Sequence, residues 1–263
     1  MEYTGYVASI CVGLILGLLG GGGSILSIPI LVYLFHFDVV VASAYSLFVV
    51  GITSLVGAIP KYKEHLVNIR TGLLFGVPSI ISIFVTRKWI IQEIPEVLWT
   101  SGSFILSKRL LLLGLFAVLM LVASASMIRQ RPDSSPESER VRTIVIVAQG
   151  LIIGFITGLV GAGGGFLIIP ALVMFTGLRF KAAVGTSLFI IAINSLSGFA
   201  GDLMNYDMNW IFLLTITALA VLGIFAGNAL SRRAPSALLR KLFGWFILLT
   251  GCWILVHEGL HIG

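Results

Sequence analysis

Two short runs of glycine stand at the same distance from a proline, and they are the residues best placed to do chemistry. The first is Gly20, Gly21, Gly22 and Gly23 with Ser24, five residues before Pro29. The second is Gly161, Gly163, Gly164 and Gly165, the last of them five residues before Pro170. Glycine has no Cβ, so the backbone can turn sharply and bring its amide N–H groups close to a ligand. Each run interrupts an apolar stretch, and within a bilayer such a break is tolerated only where protein buries it or where it lines a cavity. Each should lead into a short helix, starting at Ser24 or Gly165. The free N–H groups and positive dipole end of such a helix favour an anion without any cationic side chain.

A second polar set follows each glycine run. Tyr45, Ser46 and Thr53, with Ser43 and Ser54, are matched by Thr186, Ser187 and Asn194, with Ser195 and Ser197. Ser46 and Thr53 are seven residues apart, as are Ser187 and Asn194, so each pair shares a helical face. Small polar residues also join helices in lipid. Their duplication beside duplicated glycines favours a ligand shell of hydroxyl and amide donors.

Other chemistries find little support. No Lys-Ser/Thr follows the glycines, so there is no phosphate-binding loop of the nucleotide type. Gly161-Ala162-Gly163 lacks the strand and acidic residue of a dinucleotide fingerprint. The four histidines lie near segment ends without metal-ligand spacing, so no metal, cofactor or catalytic residue is expected. The apolar runs are read as free of Asp, Glu, Lys and Arg, which counts against a carboxylate proton shuttle. Cys11 and Cys252 lie within apolar runs and are read as packing residues.

The elements that must hold these residues are membrane helices. Of 263 residues 58% are hydrophobic and 11% charged, well below the charge of a soluble domain. The apolar runs fall at 3–20, 24–36, 40–60, 68–87 and 108–128, then at 144–161, 165–177, 181–201, 209–230 and 236–257. Residues 13–57 laid on 154–198, an offset of 141, give about 20 identities in 45 positions. The expected fold is an all-α polytopic membrane protein of two repeats, 1–128 and 143–263, joined by a polar linker at 129–142. The second run of each half is too short to cross comfortably, so it should fold back on the first as a re-entrant hairpin with the glycines at its tip.

A hairpin makes the crossings per half odd and the halves inverted. Basic residues then divide roughly 13 to 4 in favour of one side, against about 10 to 7 for parallel halves, so inversion fits the positive-inside rule better. It places the linker in the cytoplasm and both termini outside. The net charge of +6 therefore reads as topology in a lipid bilayer, with no nucleic-acid partner implied. Trp89 to Ser107 is an insertion found only in the first half. Its tryptophans and acidic residues suit an interfacial anchor, with a lid or a homo-oligomer contact as other uses.

The motifs GLLGGGGSILSIP with AYSLF, and GLVGAGGGFLIIP with GTSLF, resemble the sulfite exporter TauE/SafE family over essentially the whole chain. The resemblance implies a permease of the plasma (inner) membrane for small anions, often sulfur-containing, such as sulfite, thiosulfate or a sulfonate. Tyr45 in one copy against Thr186 in the other makes the two half-sites chemically unequal.

Overall fold

A computed structural model describes residues 2–101, 104–129, 143–160, 164–203, 206 and 208–260. The linker and the tip residues Gly161 and Gly163 lie outside them. Among the described residues ten helices make up the fold. The first half holds α1 (Glu2–Leu19), α2 (Gly22–Pro29), α3 (Val39–Lys63), α4 (Ile69–Val85) and α5 (Lys108–Arg129). The second holds α6 (Thr143–Val160), α7 (Gly165–Thr176), α8 (Phe180–Asp202), α9 (Trp210–Arg233) and α10 (Ser236–Leu260). Seven of these are long and apolar enough to cross a membrane; α1, α2 and α7 are shorter apolar helices.

The chain doubles back at both glycine runs. A Cβ on Gly23 would overlap the Val12 carbonyl and Leu16, and one on Gly164 would overlap Thr157. In a straight helix seven residues span about 10 Å, so such contacts require a fold-back. Gly20 and Gly164 provide the turns, with φ of +75° and +69°. Those values are left-handed and cost glycine nothing.

α3 and α8 pack against each other at the centre. Their most apolar windows are 72% buried, against 33–44% for the other five spanning helices, so these two form the axis of the fold. Around them the packing is reciprocal. α1 lies on α9 and α6 on α4, α9 lies on α3 and α4 on α8, α10 touches α2 and α5 touches α7, and α5 pairs with α10. Glycines set the closest approaches. Gly13 meets the Ala220 carbonyl and Gly154 that of Ser79, while Gly17 lies against Ile224 and Gly158 against Ile83 and Thr86.

Three features differ from the sequence reading. π-helical turns at Ile30–Leu34 and Thr86–Ile90 extend α2 and α4, the latter running on to Glu93. The insertion adds an antiparallel strand pair, β1 (Val97–Ser101) and β2 (Phe104–Ser107), to the helices; Trp89 and Trp99 before its turn are exposed. Cys11 and Cys252 face outward and pack into no core.

Candidate functional site

The two glycine turns meet. A Cβ on Gly21 would overlap the backbone of Gly165, and one on Gly165 the backbone of Gly21 and the side chain of Ile191. Only a residue pair without side chains permits this approach between halves. Gly21 and Gly164 are the N-cap positions of α2 and α7, and neither helix has a side-chain cap. α3, α4 and α9 do have side-chain caps, Asp38 accepting from Val40 N, Asn68 from Thr71 N and Asn209 from Phe212 N, whereas α8, which starts after Arg179, has none. At the tips the first-turn amides are left without that partner.

The hydroxyl and amide residues divide into those near the turns and those that hold helices. Gly20 packs beside Ser187, whose Oγ donates to the Val184 carbonyl at 2.8 Å. Ser24 is fully buried and donates to the Gly21 carbonyl at 2.6 Å, bracing the turn from within. Ser46 is joined to Ser27 of α2 at 2.5 Å, fixing the short helix to α3. Ser187, Ile191 and Asn194 share one face of α8, and Ile191 reaches Gly165, so this face runs beneath the tips. Asn194 donates from Nδ2 to Ser79 Oγ, while its Oδ1 is buried without a partner.

Tyr45, Thr186 and Thr53 are engaged elsewhere. The Tyr45 hydroxyl accepts from Asn209 N at 2.8 Å, at the start of α9. Thr186 Oγ1 accepts from Asn68 N at 2.9 Å, at the start of α4. A phenol in one copy and a threonine in the other thus do the same task at equivalent places. Thr53 donates to Val49 O within its own helix.

Ser54 and Ser195 of the duplicated polar set, one offset of 141 apart, each bury an unpartnered Oγ on a central helix. Two groups of residues were missed in the sequence, the first being Thr157 of α6, whose unpartnered Oγ1 lies against Gly164. A hydroxyl in an apolar run is the only signal for Thr157, and a weak one.

The other group overturns the expectation of charge-free spans. Arg87, in the π turn ending α4, and Asp202, the last residue of α8, are both completely buried and form an ion pair. Arg87 Nε donates to Asp202 Oδ2 at 2.8 Å, and Nη2 bonds the same oxygen. Its Nη1 donates to Ser43 Oγ at 2.9 Å and to the Gly158 carbonyl at 3.4 Å. Gly158 is in the last turn of α6, one helical turn before the second tip. A cation there also meets the negative end of the helix dipole. Read linearly, Arg87 beside Lys88 and Asp202 after an apolar run look like flanking charges. Only the packing of α4, α6 and α8 turns them inward.

Paired glycine turns within a bundle of apolar helices define a multi-pass membrane protein of the transporter class. The chain matches the family model for the sulfite exporter TauE/SafE over residues 6–254, and it belongs to that family, whose members are membrane transporters and not enzymes. It is 29% identical to the "Probable membrane transporter protein YunE" of Bacillus subtilis, over 97% of this chain and 98% of that one. It is 28% identical to a "Probable membrane transporter protein" of Xylella fastidiosa strain Temecula1, over 93% and 91% of the two chains. No solved structure matches it.

Proposed function

We propose that this protein is a secondary transporter of a small sulfur-containing oxyanion, such as sulfite, thiosulfate or a sulfonate. The ligand binds near the midplane, between two inverted halves. The shell consists of the glycine tips, Gly20 to Ser24 and Gly161 to Gly165, with Ser187 and Asn194 from α8 and Ser46 from α3. Tyr45, Thr53 and Thr186 complete it from the second layer, by holding the helix starts and the α3 backbone. The observation that carries this reading is the backbone approach of Gly21 to Gly165, which brings two uncapped helix N-termini together. The reciprocal packing of α1 on α9 and α6 on α4 supports the repeat. With inverted halves in the plasma membrane, the 129–142 linker is cytoplasmic and both termini lie outside.

The test is thermal unfolding of the purified protein against sulfite, thiosulfate, sulfoacetate, sulfate, chloride and a neutral solute. A ligand bound only by the folded state adds about 2.7 kcal/mol at 100 times its dissociation constant. A selective upward shift with one sulfur oxyanion is expected. No shift with any anion would overturn the anion site. Saturable counterflow in vesicles is expected as well; unsaturated conductance would replace the transporter by a channel.

A further inference from the structure

We infer that Asp202 is a proton-coupling carboxylate, exchanging its Arg87 partner for a proton when the anion binds. The inference rests on the transport reading above and adds the coupling ion to it. Three observations lead to it. Arg87 donates to the carbonyl of Gly158, in the last turn of α6 that leads into the second glycine run. Asp202 uses only Oδ2 toward Arg87; its Oδ1 is buried without a partner. Both side chains are fully shielded, so neither can fall back on bulk water when its partner leaves.

These facts couple anion to proton through electrostatics. In the empty site the carboxylate neutralises Arg87, and the pair is stable because each ion compensates the other. An oxyanion at the tip competes for the same guanidinium, whose planar fork suits oxyanion geometry. Once Arg87 turns to the anion, an ionised Asp202 would be an uncompensated buried charge, and a proton on its carboxylate restores neutrality. The proton comes from the aqueous side then in contact with the site and adds to a carboxylate oxygen of Asp202. On the opposite side the anion departs, Arg87 returns to Asp202, and the proton is released. One proton and one anion cross together, so a monovalent anion moves without net charge.

The other groups facing the pair are few. Ser43 from α3 and the Gly158 carbonyl from α6 are neutral. Tyr206, between α8 and α9, is held above the usual phenol range by its burial and then by the Asp202 charge, so it stays neutral through the working range. Asp38 and Glu96 act on Tyr206 more weakly than Asp202 does. Lys88 lies over the rings of Phe84 and Trp89.

The experiment uses the full chain in proteoliposomes with 35S-labelled sulfite, thiosulfate or sulfoacetate, a pH dye inside, and the membrane potential clamped near zero. Anion entry should acidify the lumen, and with the potential clamped an inward gradient of one pH unit should support about tenfold accumulation of the carried anion at one proton per anion, whatever its charge. Asp202→Asn should still exchange labelled for unlabelled anion, at a reduced rate, but accumulate it only about onefold. Asp202→Glu should restore the gradient response. Wild-type transport without proton movement, or gradient-driven accumulation by Asp202→Asn, would overturn the proton role alone. Absence of transport for every anion would remove the transport reading and this one with it. Because proton entry is read on the unmodified protein, a variant that fails to fold leaves the decisive measurement intact.

Discussion

Two seams of the molecule occupy places related by the 141-residue offset, and they carry opposite chemistry. Where α4 meets α8, Arg87 and Asp202 form a buried ion pair beside Ser43 and Gly158. Where α9 meets α3, the corresponding residues are Asn228 and Lys61, beside Val184 and Gly17. Asn228 Nδ2 reaches the Gly57 carbonyl at 3.3 Å, and buried Lys61 reaches Ser231 Oγ at 3.3 Å. Among the described residues Lys61 has no salt bridge; the neighbouring carboxylate, Glu64, pairs with Arg232 at 2.5 Å. A cavity of about 380 Å³ lies on this side, lined in part by Pro60, Lys63, Asn228 and Arg232. Gly198 packs on Ile83 and Leu47 as Gly57 packs on Ile224 and Leu188, whereas the charges at the two seams do not correspond. One seam is closed by a fully buried ion pair, and the other has, among the described residues, only the partly exposed Glu64–Arg232 pair at its end. A transporter with inverted halves would then have unequal energies for opening its two sides.

The sharpest way to break the comparison is to remove one member of the pair. Arg87→Met leaves Asp202 buried without compensation and should cost about 3–5 kcal/mol, seen as a large fall in the thermal midpoint in detergent. Replacing both residues, Arg87→Met with Asp202→Leu, should recover most of that loss, because the desolvation of two ions disappears with their attraction. At the other seam Lys61→Met should change stability by no more than about 1 kcal/mol, or raise it, since a buried charge is removed together with one long hydrogen bond. A comparable loss at both seams would show that Lys61 has an ionic partner of equal worth and would end the asymmetry.

The unequal predictability of these regions has a physical cause. Helix positions were legible because a hydrocarbon layer requires about 20 apolar residues per crossing, and the observed helices begin and end within a few residues of the runs read from sequence. The fold-backs were legible because glycine adopts φ near +70° without the strain other residues meet there, and Gly20 and Gly164 have it. The ion pair was not. Its members are 115 residues apart, and each stands at the end of an apolar run, where basic residues ordinarily mark topology. The duplicated polar residues were legible only as a set. Ser187 lies at the tips, but whether Tyr45 faces a ligand or a helix start depends on which neighbour supplies an N–H, and no spacing records that. The π turn that holds Arg87 has no sequence signature at all.

The contrast between seams continues one level deeper, with a smaller expected effect. Asn194 of α8 donates to Ser79 of α4 at 2.5 Å. The corresponding residues on the other side are Thr53, which bonds its own Val49 carbonyl, and Ala220. Asn194→Ala should therefore cost about 1–3 kcal/mol, part of it a small cavity and part the orphaned Ser79 hydroxyl. Thr53→Val keeps the volume and loses only a bond local to its helix, so its cost should stay under about 1 kcal/mol. Equal losses in thermal or denaturant unfolding would mean that Thr53 holds a partner across the α9–α3 seam.

The smallest effect is also the one that should be equal on both sides. Tyr45 and Thr186 differ in size and acidity, yet each presents an oxygen to the backbone N–H of an asparagine that caps the facing helix, Asn209 or Asn68. Tyr45→Phe and Thr186→Val each remove that acceptor while largely keeping shape. Each strands one partly buried amide, worth about 1 kcal/mol. Because the role is positional, the two losses should match within a few tenths of a kcal/mol, and the affinity for a bound oxyanion should change little in either variant. Had either hydroxyl touched the ligand, its variant would lose affinity far beyond its loss of stability. Titrating the anion against both proteins separates these cases, since a helix-holding residue shifts the unfolding midpoint and a ligand-holding residue shifts the dissociation constant.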